Sequence, residues 1–325
     1  MTCEHRTIST QALCRLLAFG VLLLTFSPRL LGEEGTARVR GRWLIDFEEK
    51  GSLQLTLKRG SHGHGSWNSS DDYEVKDFQG LRRPAAGSAD AAAHFELVRD
   101  AGTILFDGRL DETGGSGHFS FNPNPDYVAA LAKMGYRTGD DDDLFSLAVH
   151  DVSRAYIRDL DALGYRRVPL DDLVSMRIHG AGPEFIRALK ALGYTSLSTD
   201  ELVSMRIHGA DPDFIGDLKK LGYTDLSADD LVSMRIHGAT PEFAGDMKAL
   251  GYRDLSADDL VSMRIHGVSP EFARDLQALG YRDVFPDDLI SMRIHGVSIE
   301  FVKKMKARDP QVSVDELVSM RIHGR

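Results

Sequence analysis

Asp211-Pro212-Asp213-Phe214-Ile215-Gly216-Asp217-Leu218-Lys219-Lys220-Leu221-Gly222-Tyr223, followed after three residues by Ser227-Ala228-Asp229-Asp230-Leu231-Val232-Ser233-Met234-Arg235-Ile236-His237-Gly238, decides the fold. It carries two sets of helix punctuation. Asp211 stands where an N-cap belongs, and Pro212 takes the first helical position, where a missing N–H costs nothing. Phe214, Ile215, Leu218 and Leu221 fall at helical spacing. Gly222 stops this helix, with Tyr223 folding back on the last turn as in a Schellman cap. Ser227 opens a second helix, with Asp230 as the short acid of a capping box. Leu231, Val232, Met234 and Ile236 supply its apolar positions, and Gly238 ends it. Acids fill its first turn while Arg235 and His237 stand in its last, as the helix dipole favours.

The pattern repeats outward in both directions. Met-Arg-Ile-His-Gly begins at Met176, Met205, Met234, Met263, Met292 and Met320, spaced 29 residues four times and then 28. Leu147-Ala148-Val149-His150-Asp151 is a degenerate copy 29 residues before Met176, and Leu-Gly-Tyr recurs in step. Seven copies run from Asn124 to the C-terminus. In one of them Ser198 and Glu201 complete the capping box. Two helices of about ten residues cannot bury their apolar faces alone, whereas stacked copies can. The spacing therefore predicts an α-solenoid over residues 124–325. Its last copy has Arg308-Asp309-Pro310 in place of Leu-Gly-Tyr, as a capping repeat would.

Upstream the periodicity changes from helical to alternating. Val39 to Phe47, Leu53 to Leu57, Ala93 to Val98, Thr103 to Phe106 and Gly117 to Phe121 read as short strands. The glycine-rich runs Gly60 to Gly65 and Thr113 to Gly117 read as turns. Residues 33–123 are thus expected to form a small antiparallel β sandwich or barrel, with Trp43 as a core anchor, and the whole chain is α+β and multidomain.

Residues 1–32 read as a signal peptide: Arg6 and Arg15 precede an apolar run from Leu16 to Phe26, and small residues follow near Gly32. Retention as an anchor is the other fate of such a segment. The run is shorter than the ~20 residues that span a bilayer, so no stable membrane span is expected after cleavage. Both cysteines, Cys3 and Cys14, lie inside it, which removes disulfides, thiol catalysis and thiolate metal sites from the mature chain. The 325 residues carry a formal net charge of −10, which argues against a nucleic-acid binder working by phosphate neutralisation. A periplasmic or secreted protein is the expectation.

Catalytic constellations are absent. There is no Gly-x-Ser-x-Gly, no His-Glu-x-x-His and no glycine-rich phosphate loop. The repeated His179, His208, His237, His266, His295 and His323 invite a metal, but equivalent positions in stacked repeats lie ~10 Å apart and ligands of one metal each lie ~2 Å from it. They are expected to be structural, their rings capping helix carbonyls. The repeated arginine is expected to pair with an acid of an adjacent copy. Asp140 to Asp143 lacks the spaced oxygens of a calcium loop and reads as helix N-terminal charge. His62 and His64 are two flexible histidines without a third ligand, a polar hairpin loop. No catalytic residue, cofactor or metal is expected.

Pro270-Glu271-Phe272-Ala273-Arg274-Asp275-Leu276-Gln277-Ala278-Leu279-Gly280-Tyr281, with Asp287-Asp288-Leu289-Ile290-Ser291-Met292-Arg293-Ile294-His295-Gly296, resembles tandem repeats of exported and membrane-attached proteins of soil bacteria. There such repeats often follow a membrane metallopeptidase of the beta-lactam-sensing kind. The resemblance covers residues 124–325, and the β-region resembles material that precedes such repeats. It implies a periplasmic interaction or sensing module and transfers no catalytic residue, because this chain has no zinc-binding helix.

These readings converge on an exported, non-enzymatic scaffold whose repeat surface binds a protein or peptide partner in the cell envelope. Gly182, Asp211, Thr240, Ser269 and Ser298 open the first helix of their copies and line one edge of the array, where contacts could vary. A β-domain that binds a ligand or glycan, presented by a spacer solenoid, is the alternative. An enzyme with an unrecognised site stands behind both. Neither the partner's identity nor the oligomeric state is written in the sequence.

Overall fold

The computed structural model describes residues 39–59 and 67–324, and these described residues form one compact unit. Residues 1–32, expected to be a signal peptide, and His62 and His64, expected in a hairpin loop, lie outside the described residues. Six strands come first: β1 Val39–Phe47, β2 Ser52–Arg59, β3 Trp67–Glu74, β4 Ala91–Arg99, β5 Gly102–Leu110 and β6 Gly114–Pro123. They form one antiparallel sheet in the order β3-β2-β1-β6-β5-β4.

The sheet curls. Trp43 on β1 and Phe95 on β4 are separated by two strands, so a flat sheet would hold them about 14 Å apart. Their ring centroids are 5.2 Å apart. Gln79, just after β3, exchanges backbone hydrogen bonds of 2.8 and 2.9 Å with Glu96 on β4, drawing the two edges together. The expected sandwich or barrel is thus a single barrel-like sheet. Alternate residues point inward: Trp43, Ile45, Leu53, Leu55, Leu57, Phe95, Ile104, Phe106, Phe119 and Phe121 are all buried.

Trp43 is the core anchor the sequence suggested, and two glycines make room for it. A Cβ on Gly108 would lie 2.5 Å from the indole Cζ2, and one on Gly117 would lie 2.7 Å from Nε1. The glycines from Gly114 to Gly117, expected in a turn, therefore belong to β6. The turn before them is built by Asp111, whose Oδ1 accepts from Thr113 N at 2.7 Å and Gly114 N at 3.0 Å.

Fourteen helices follow in seven pairs: α1 Pro125–Lys133, α2 Asp141–Val149, α3 Arg154–Ala162, α4 Leu170–His179, α5 Pro183–Ala191, α6 Thr199–His208, α7 Pro212–Lys220, α8 Ala228–His237, α9 Pro241–Ala249, α10 Ala257–Ile265, α11 Pro270–Ala278, α12 Pro286–Ile294, α13 Ile299–Lys306 and α14 Val314–His323. Odd helices pack on odd ones and even on even, so the pairs stack as a solenoid. The caps form as the sequence specifies. Asp211 accepts from Phe214 N at 2.8 Å, Tyr223 N reaches Leu218 O at 3.1 Å, and Ser227 and Asp230 close a capping box. Gly238 takes a left-handed φ of 71°.

The first pair shares its core with the sheet. Phe145 on α2 stacks on Phe119 at 5.3 Å and meets Phe121 and Trp67 edge-on. Arg59 grips Asp142 through two bonds of 2.7 and 2.8 Å. Asp100, on the β4–β5 turn, accepts from Arg154 N at 2.7 Å and Arg154 Nε at 2.9 Å, which draws its carboxyl below the usual range. Asp140 accepts from the amides of Asp142 and Asp143, so this acidic run acts as helix N-terminal charge.

Candidate partner-binding surface

The second helix of each copy ends Leu-Val-Ser-Met-Arg-Ile-His. In α6, Leu202 and Met205 are three residues apart and fully buried. Ile207 follows Met205 by two, about 200° round the helix axis, and so faces away from the core. It is 54% exposed. The sequence reading put Ile236 among the apolar positions of its helix; the structure exposes it equally, at 54%. Ile178, Ile265, Ile294 and Ile322 are exposed to the same degree, so one isoleucine in each of the last six copies stands on the outside of the even helices. The corresponding residue of the first copy, Val149, is buried, and its carbonyl accepts from Tyr73 on β3. The ridge therefore starts where the sheet ends.

The six histidines accompany this ridge, and their rings are exposed. Their expected duty as carbonyl caps falls to other side chains. Arg206 Nε donates to His179 O at 3.3 Å, and Arg177 Nε donates to His150 O at 3.0 Å. On the odd helices Lys190, Lys219 and Lys248 reach the carbonyls of Leu163, Leu192 and Leu221 at 2.6 to 2.7 Å. A flexible cation extends to the preceding copy, where a ring on the terminal residue would have to turn back on its own helix.

The repeated arginine also departs from expectation. Arg206, Arg235, Arg264, Arg293 and Arg321 each cover the phenylalanine of their own copy, at 4.7 to 5.2 Å from the ring centre. The Arg–acid pairing across copies occurs at the first junction, where Arg177 bonds Asp151 at 2.8 Å. Tyrosines tie the copies in the other direction: Tyr165, Tyr194 and Tyr281 donate to Leu197 O, Leu226 O and Val312 O at 2.7 to 2.9 Å. Burial raises the hydroxyl pKa of all three.

Gly182, Asp211, Thr240, Ser269 and Ser298 lie half-buried along one edge. The side chains of the last four accept from the amides of Phe214, Phe243, Phe272 and Phe301 at 2.8 to 3.3 Å. Gly182 has no such group. It borders a groove of about 680 Å³ between the second and third copies, lined also by Tyr156, Arg177, Phe185, Arg187 and Arg206.

A smaller recess, about 300 Å³, lies between sheet and array and holds Asp71, Asp72, Asp77, Arg99, His150 and Asp151. Burial pushes the His150 imidazole below its ordinary pKa; Asp71 opposes the shift and Arg177 reinforces it. Among the described residues no group of three or more His, Cys, Asp or Glu is placed to hold a metal ion, and no helix is long and apolar enough to cross a membrane. No protein-family model and no curated protein matches this sequence.

Proposed function

We propose that this protein is an exported, non-enzymatic interaction scaffold whose helical array receives a protein or peptide partner of the cell envelope along the isoleucine ridge. The observation that carries this reading is the row Ile178, Ile207, Ile236, Ile265, Ile294 and Ile322, each more than half exposed. Six large apolar side chains repeated on one face of a stacked array form the kind of surface that partners cover. The capped ends of the odd helices, Asp211, Thr240, Ser269 and Ser298, border the array and add polar contacts. The N-terminal segment 1–32 and the resemblance of the repeats to those of envelope proteins support the location. The rival reading, a ligand held by the β-domain, has less support, since aromatic side chains fill the inside of the sheet.

The test is crosslinking capture from the native envelope with the wild-type chain beside a triple variant, Ile207→Lys, Ile236→Lys and Ile265→Lys. One abundant protein recovered by the wild type and lost by a variant of unchanged thermal stability supports the scaffold. Equal recovery by both moves the binding surface off the ridge.

A further inference from the structure

Two rules of the array break at the junction of the second and third copies, and the two breaks meet. In the second and in the fourth to seventh copies the first helix is capped by a side chain on the amide three residues on: Ser153, Asp211, Thr240, Ser269 and Ser298. Helix α5 opens instead with Gly182 and has no side-chain cap. The N–H group of Phe185 therefore lacks the acceptor its counterparts have, and the N–H of Glu184 beside it is another donor of the helix's first turn. The residue of the preceding copy that lies against this end is Tyr156, where later copies have Phe185, Phe214, Phe243, Phe272 and Phe301. Tyr156 is only 7% exposed, and its hydroxyl is buried without a hydrogen-bond partner. Its Cε2, next to the hydroxyl-bearing carbon, is 3.6 Å from where a Cβ on Gly182 would stand.

Gly182 and Tyr156 line the same groove. The unmet groups there are donors: two main-chain N–H groups at the positive end of a helix and a phenol O–H. An orphaned buried hydroxyl is uncommon in a folded chain, and one placed against an uncapped helix end points to a shared acceptor. Three arginines line the groove as well. Arg177 is held by Asp151 and His150 O, Arg206 by His179 O and the Phe185 ring, and Arg187 lies 3.9 Å from Asp159. The lining also contains two carboxylates, Asp159 and Glu184. With the Asp151 that holds Arg177, three carboxylates balance the three cations, so the groove has no excess charge that would favour a dianion such as phosphate.

We propose that this groove is a carboxylate-binding site, with the anion accepting from the N–H groups of Glu184 and Phe185 and from the Tyr156 hydroxyl. The site is separate from the isoleucine ridge and does not depend on it. It explains why the cap is missing here: a serine or aspartate at position 182 would fill the place the ligand takes.

The experiment is an amide NMR titration of the full chain with three probes: succinate, the blocked peptide acetyl-Gly-Glu-Gly-amide, and inorganic phosphate. Saturable shifts of the Glu184 and Phe185 amides are expected with the two carboxylates, and weaker ones with phosphate. Gly182→Ser supplies the cap; the backbone at 182 is extended and its new Cβ meets only an ordinary contact, so the variant folds. It should weaken binding at least tenfold. Tyr156→Phe should weaken it roughly fivefold, the worth of one hydrogen bond. Tighter binding of the peptide than of succinate assigns the carboxylate to a peptide partner, and equal binding assigns it to a small acid; either supports the site. Amides that do not shift, or that shift equally in Gly182→Ser, overturn it. The ridge variant should titrate as the wild type does, so failure of the scaffold reading and failure of this one are distinguishable.

Discussion

The Arg177 guanidinium stands 2.8 Å from the Asp151 carboxylate while covering the Tyr156 ring at 5.0 Å. Asp151 holds the position that glycine occupies in every later copy and adopts the same left-handed backbone, with φ 51°. That conformation costs a residue with a Cβ about 1 kcal/mol. The carboxylate offsets the cost by pairing with Arg177 and by lying 3.9 Å from Arg99. Both members of the Arg177 pair are about a third or more exposed, so the pair contributes at most about 1 kcal/mol. Asp151→Gly should therefore be nearly neutral, whereas Asp151→Ala, which keeps the strain and loses the pair, should cost about 1 kcal/mol. Urea unfolding at low and high salt checks this; equal losses in the two variants would contradict the account.

Met205 and Ile207 look alike in a hydropathy profile and should behave oppositely. Met205 is fully buried, so Met205→Ala should cost about 2–5 kcal/mol. Ile207→Ser, on the outer face, should change stability by less than about 0.5 kcal/mol. Thermal unfolding of the two variants decides whether the ridge is a surface. A large loss at Ile207 would place it in the core.

The tyrosines of the Leu-Gly-Tyr motif separate into two kinds. Tyr194 donates to Leu226 O at 2.9 Å, while Tyr223 and Tyr252 make no such bond among the described residues. Tyr194→Phe should cost about 1 kcal/mol and Tyr252→Phe close to nothing. Paired denaturation curves test the difference, which vanishes if the motif serves packing alone.

Alkali should unfold the chain through its tyrosines. Burial raises the Tyr156 hydroxyl to about 12, and burial followed by the charge of Asp71 raises Tyr73 to about 12. In the unfolded chain both ionise near about 10. The folded chain holds these protons longer, so their contribution is full below pH about 10 and is lost as pH rises through about 12. Phenolate absorbance and circular dichroism should change together above pH about 10. Full ionisation near 10 with the fold intact would rule this out.

The repeat and its caps were legible because they are local: Asp211, Pro212, Gly222 and Ser227 act on amides and carbonyls within a few residues. Five strands were legible from alternation, but β3 was not. Its run Trp67-Asn68-Ser69-Ser70-Asp71-Asp72-Tyr73-Glu74 is half-exposed and polar at most positions, so only its pairing with β2 makes it a strand. The glycines of β6 read as a turn until Trp43, brought over them by strand pairing, gave them a reason to be small. Ile236 was assigned to the apolar side because hydrophobicity does not state direction; its angle from Met234 does. The arginine and lysine contacts were out of reach, since their acceptors are main-chain carbonyls 27 residues earlier, and every residue has one. The candidate groove was illegible for a related reason: the sequence contains Gly182 and Tyr156, but only stacking puts one against the other.

The later junctions of the array share one plan. One copy offers a terminal glycine and an open carbonyl; the next brings a long side chain to each, as Arg235 does over Gly209, Lys219 does at Leu192 O and Gln277 does at Leu250 O. The later internal copies therefore fit one another, and a 29-residue cassette inserted or excised among them would leave matched ends behind. The irregular units mark where that freedom stops: Asp151, tied to the sheet, at one end, and Arg308-Asp309-Pro310 at the other. Reach along the array is thus an inheritable quantity that changes in whole steps, without any new joint having to be invented.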